Sequence, residues 1–92
     1  MNCLRSVTLN WTASVDTVDG YNIYRGTAPG QEGTKLDASP VTGTTFVDST
    51  PLLGTSYYVV RSIVNGLESV NSNEITVNLR PAAPTNLAGT AN

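Results

Sequence analysis

Seven residues, Ser6 to Thr12, constrain the chain more than any others. They read Ser-Val-Thr-Leu-Asn-Trp-Thr, so Val7, Leu9 and Trp11 point one way while Thr8, Asn10 and Thr12 point the other. Strict alternation is the period of a β-strand with one buried and one wet face. A tryptophan carries too much apolar area to leave in water, so a second layer has to lie about 10 Å above this strand. The chain must therefore solve a sandwich problem.

The remaining segments answer it. Tyr21 and Ile23 alternate with Asn22 and Tyr24 up to Arg25, which predicts a second strand whose Tyr21 and Ile23 face Trp11. Asp19-Gly20 ahead of it reads as a turn, with a positive φ available at the glycine. Gly26 to Gly33 holds three glycines and Pro29 and reads as a loop. Thr34 to Asp37 is a candidate edge strand with Leu36 inward, and Thr44 to Asp48 a strand with Phe46 in the core. Ser56 to Val64 is the most β-prone run and reads as a central strand. Asn65-Gly66 marks a type I′ hairpin turn, which needs positive φ at both residues. Asn73 to Leu79 alternates again, with Ile75, Val77 and Leu79 on one face. About seven short strands without helical periodicity give an all-β, Greek-key β-sandwich. Its expected core is Trp11, Tyr21, Ile23, Leu36, Phe46, Val60, Ile75 and Val77.

Composition removes whole classes of function. The net charge is −2, and Arg5, Arg25, Lys35, Arg61 and Arg80 are scattered singly, so no basic stripe exists to bind nucleic acid. The chain has no histidine and one cysteine, Cys3, so an intrachain disulfide is excluded and the commonest metal-ligand clusters are missing. Cys3 reads as a small apolar residue at a domain boundary in preference to an interchain bridge. No apolar run approaches the roughly 18 residues that span a bilayer. No cofactor is implied.

The candidate sites are few. Asp16, Asp19, Asp37 and Asp48 lack the spacing of a calcium loop and fit turn and cap roles. Glu68 and Glu74 could pose as a glycosidase pair, but both fall on or near the last strand of a small sandwich with no evident cleft, so no enzyme is expected. Tyr24, Tyr57 and Val59 are candidates for an outer apolar patch that stacks on a sugar or a neighbour, against ordinary cross-strand pairing. Asn10-Trp11-Thr12 is a glycosylation sequon whose Asn10 points outward, so a glycan is a candidate partner.

Several motifs together resemble a known family. Val7-Thr-Leu-Asn-Trp11-Thr-Ala-Ser14, Gly20-Tyr-Asn-Ile-Tyr-Arg-Gly26, Thr42-Gly-Thr-Thr-Phe46, Gly54-Thr-Ser-Tyr57-Tyr-Val-Val60 and Glu68-Ser69 with Ser72-Asn-Glu-Ile75 are similar to a bacterial fibronectin type III domain, an immunoglobulin-like fold. The resemblance covers Ser6 to Leu79 and implies strands B, C, E, F and G, with Trp11 in the core and a tyrosine early in strand F anchoring the corner before it. It also implies an extracellular or cell-surface spacer or binding module. Spacing from Gly54 nominates Tyr57 as the corner tyrosine, but that register turns Arg61 inward. Placing Tyr58, Val60 and Ser62 inward keeps Arg61 wet and is favoured, because burying an unpaired arginine is the larger penalty.

The chain departs from the family at its ends. Strand A typically precedes the Val-Thr-Leu motif as a proline-led segment, whereas here only Met1 to Arg5 do. A segment of that type, Ala83-Pro84-Thr85-Asn86-Leu87-Ala88-Gly89-Thr90-Ala91, stands after strand G instead. The sequence thus divides into a sandwich body over residues 1–79, a stiff Pro-rich connector over 80–84, and a strand over 85–92 that completes the next subunit or repeat. Donor residues are Pro84, Thr85, Leu87 and Ala91, and acceptor residues Val7, Leu9 and Trp11. The leading functional expectation is a subunit or repeat of an extracellular filament, assembled head to tail with copies of itself. The alternative is a spacer or binding module of a secreted carbohydrate-active or adhesin-type protein. Whether copies are separate or covalently joined stays open.

Overall fold

The computed structural model describes residues 6–81, 83–84 and 87–91, so Cys3 and Thr85 lie outside the described residues. Seven strands follow in order: β1 (Val7–Asn10), β2 (Gly20–Gly26), β3 (Thr34–Lys35), β4 (Thr45–Asp48), β5 (Gly54–Val64), β6 (Leu67–Glu68) and β7 (Ile75–Leu79). Among the described residues β1 pairs with β4 alone, antiparallel, Val7 opposite Asp48 and Asn10 opposite Thr45. The second sheet runs β3, β2, β5, with β6 and β7 both on the far side of β5. The expected all-β sandwich is therefore present.

Register decides which side chains meet. Ile23 lies opposite Val60 and Tyr21 opposite Ser62, while Tyr58 lies opposite Ile75 and Ser56 opposite Val77. Directly paired residues share a sheet face, so these pairs all turn toward β1 and β4. Val7, Leu9, Ile23 and Tyr58 form the buried centre, with Trp11, Leu36, Val41, Phe46, Val60, Val77 and Leu79 packed around it. Trp11 meets Tyr21 edge to face, with ring centroids 5.4 Å apart at 67°.

β5, the counterpart of strand F, takes the favoured register. Tyr58 is 2% exposed, and Arg61 stays on the outer face, its guanidinium carbon 4.5 Å from the centroid of the Tyr24 ring. The same alternation turns Arg25 inward, opposite Tyr58.

Other expectations need correction. β1 stops at Asn10, two residues short of Thr12, although the Trp11 N–H still donates to the Thr44 carbonyl at 3.0 Å. Gly20 has no positive φ. It opens β2 where an added Cβ would stand 2.8 Å from Cβ of Pro40, so close approach and not turn geometry requires glycine there. At the hairpin the expectation holds, with φ of 51° at Asn65 and 80° at Gly66.

The last strand is broken. Between β6 and β7 the chain bulges at residues 69–74, and two serines bridge the gap. Ser69 and Ser72 donate their backbone N–H to the carbonyls of Ser62 and Val60, while their Oγ atoms accept the N–H of the same two residues at 3.0 and 2.9 Å. Ile75, expected in the core, is 39% exposed although its partner Tyr58 is buried. Among the described residues no strand lies along the free edge of β1 to cover it.

Candidate functional site

The C-terminal end of that free edge borders a concavity. A groove of about 390 Å³ runs between Asn10 and Trp11 on one side and Ser72 and Asn73 on the other, with Tyr21 and Val60 also in its wall. All of its lining residues are uncharged. A narrower cavity of about 50 Å³ beside it is lined by Leu9, Trp11, Tyr58 and Ile75 among others. The Trp11 Nε1–H is buried without an acceptor. An extended backbone would find here a strand edge unpaired among the described residues and apolar side chains.

Charge is kept away from the groove in three clusters, each with a structural role. Inside the sandwich Asp48, 3% exposed, accepts from Arg25 Nη1 and from the Tyr58 hydroxyl, both at 2.8 Å, and from the Thr50 N–H at 3.1 Å. Burial pushes the Asp48 carboxyl up, but these donors more than offset it and hold it below its ordinary value. Burial, helped by Asp48, pushes the Tyr58 hydroxyl up to about 12. The tyrosine thus anchors the corner after β4 through a side chain.

On the outer face Glu68 accepts from the Tyr24 hydroxyl, from Asn22 Nδ2 at 2.6 Å and from Arg61 Nη1 at 3.1 Å. The Tyr24 and Asn22 donors, with Arg61 behind them, hold Glu68 at about 2. The third cluster joins the loop after β2 to the approach to β7. Glu74 accepts the Gly30 N–H at 2.8 Å, and Glu32, 7% exposed, faces Glu74. Burial, then the Glu74 contact, pushes the Glu32 carboxyl up.

The candidate residues are placed accordingly. Asp19 Oδ2 accepts the Asn65 N–H and Asp37 Oδ1 the Ile23 N–H, at 2.8 and 2.7 Å. With Asp48 committed to Arg25, these aspartates hold separate turns, and no metal cluster forms among the described residues. Glu68 and Glu74 serve different partners and do not converge on a shared space. The outer patch of Tyr24, Tyr57 and Val59 is not an exposed apolar surface, since Val59 is buried and Arg61 lies over Tyr24. Asn10 is exposed and accepts from Thr45 Oγ1 at 3.0 Å. Val7, Leu9 and Trp11 come together at the β1 edge, while Pro84, Leu87 and Ala91 are exposed. The Arg25–Asp48 pair was missed, and its signal was present: alternation that buries Ile23 must also bury Arg25.

These features define an immunoglobulin-like β-sandwich in which, among the described residues, one sheet has two strands. The chain belongs to the fibronectin type III family. An Fn3-like protein from Clostridium thermocellum shares the fold with a TM-score of 0.70 and 30% identity, over 86% of this chain and 81% of that one. No family model matches. Among curated proteins, chitinase A1 of Niallia circulans is 40% identical over 94% of this chain, and amylopullulanase of Thermoanaerobacterium saccharolyticum 39% identical over 90%. The chain spans only 13% and 6% of the lengths of those two relatives.

Proposed function

We propose that the chain is a non-catalytic module of a secreted, multi-domain, carbohydrate-active protein. The observation that carries this reading is the pattern of coverage: nearly all of the chain matches a small part of two much larger proteins whose names state different activities. A stretch common to a chitinase and an amylopullulanase is poorly suited to determine the substrate of either. A spacer role fits it better. The carboxylates support the same view, because Glu68, Glu74 and Asp48 are each held by donors of the fold and none faces a cleft. Incubation of the purified chain with chitin oligomers and with α-glucan is expected to yield no cleavage, and the chain is expected not to sediment with insoluble chitin or starch. Turnover would overturn the reading, and sedimentation would replace the spacer by a binding module.

A second reading, an extracellular filament of separate subunits, is favoured by the unpaired edge of β1 alone. The relatives' names favour the first. In either setting Asn10 is a candidate attachment site for a glycan, and the intact mass of native material tests it.

A further inference from the structure

We infer that the groove along β1 is the seat of the C-terminal segment, Pro84 to Ala91, of another copy or repeat of this sequence. Four observations converge. The β1 edge has no partner among the described residues. The core is open on that side, since Ile75 is 39% exposed and shares a cavity with Leu9 and Trp11. The segment that would fill it carries no charge, like the groove, and its Leu87 stands 96% exposed. Finally, a match to chitinase A1 over 94% of the chain has to run past Leu79 and into this segment, so the likeness is not confined to the sandwich body.

The chain's own segment is badly placed to do this. β7 ends at Leu79, opposite Gly54, and Gly54 follows shortly after Asp48, which pairs with Val7. The end of β7 therefore lies at the pole where β1 begins. To run antiparallel to β1 the segment would have to start beside Thr12, about 17 Å along the strand and about 10 Å across the sandwich. The five steps from Leu79 to Pro84 reach about 18 Å at most, fully extended, and the two displacements together make about 20 Å. From a neighbour stacked end to end the same segment arrives at the right pole, enters antiparallel, and places Leu87 over Leu9 and Trp11. Such a contact is heterologous and repeats without closing. This assignment holds whether or not the parent protein acts on carbohydrate.

Sedimentation velocity of the 92-residue chain over a range of concentrations tests it, alongside Leu87→Asp and a variant lacking residues 84–92. The full chain is expected to form a ladder of oligomers that grows with concentration. Leu87→Asp, which alters a side chain free of contacts in the monomer, should keep the fold and weaken association about tenfold or more. A synthetic peptide of residues 83–92 should bind the truncated chain and blue-shift its Trp11 emission. Three results would overturn the inference: a full chain that stays monomeric at every concentration, a Leu87→Asp chain that still assembles, which would point to exchange of Met1 to Arg5, or a monomer that Leu87→Asp destabilises, which would mean insertion in cis.

Discussion

Asp48 is the residue on which two separate inward turns depend. Alternation in β2 drives Arg25 into the sandwich and alternation in β5 drives Tyr58 in beside it; without the one carboxylate Arg25 would lose its counter-charge and keep only the Thr50 carbonyl, and the Tyr58 hydroxyl would lose its acceptor. Asp48→Ala should therefore cost about 3 to 5 kcal/mol, the range for orphaning a buried charge, whereas Tyr58→Phe should cost about 1 kcal/mol, the worth of one hydrogen bond. Denaturant melts of the two variants check the ratio. The carboxylates also set opposing pH trends. Asp48 and Glu68 have folded values below those of the unfolded chain, so their contribution is complete above about pH 4 and is lost as pH falls through the folded values, about 2 for Glu68. Glu32 has a raised value, so its penalty is full at neutral pH and is relieved as pH falls. Glu74 opposes this relief, held below its ordinary value first by the Glu32 contact and then by the Gly30 N–H, so any rise in stability on mild acidification is what Glu32 adds beyond its partner. Glu32→Gln should raise the melting temperature at pH 7 and flatten that rise; an unchanged profile would remove Glu32 from the account.

At the scale of elements, the break between β6 and β7 shows what alternation cannot convey. Reading Asn73 to Leu79 as one strand was reasonable, because Ile75, Val77 and Leu79 do alternate. The ladder instead begins at Ile75, and its missing rungs are supplied by Ser69 and Ser72, whose hydroxyls take the N–H groups that a regular strand would bond through carbonyls. A pair of serines in a polar loop leaves no periodic trace. Strand B and the Asn65-Gly66 turn were legible because one rests on period two and the other on positive φ, both local properties. Gly20 was misread because its constraint, Pro40, comes from 20 residues away in the chain. The groove itself was legible only through the resemblance, which says that a strand should stand beside Val7 to Trp11. Ser69→Ala and Ser72→Ala are each expected to cost about 1 kcal/mol. Hydrogen exchange should locate the loss at the amides of Ser62 and Val60, and a uniform loss across β5 would show that the serines do not act as rungs.

For the whole molecule, the proposed seating of the C-terminal segment makes stability a property of neighbours. A lone copy leaves Trp11 and Ile75 partly uncovered, so its core is smaller than the fold allows. Two copies joined end to end differ from one another: only the second receives a segment at its β1 edge. Asn92 and the following Met1 to Ser6 would separate the incoming Ala91 from the next Val7, a span of seven residues that is long enough for a hairpin loop. With Trp11→Phe in the first copy, the remaining indole reports the second copy alone; with the substitution reversed, it reports the first. The second copy should melt at the higher temperature and show the more blue-shifted emission, because burying Leu87 against Trp11 removes apolar area from water, about 1.5 to 3 kcal/mol for a leucine side chain. On a domain of this size that shift is about 6 °C or more. Fluorescence melts that place both copies at the temperature of the single chain would show that the segment contributes nothing to the neighbouring sandwich.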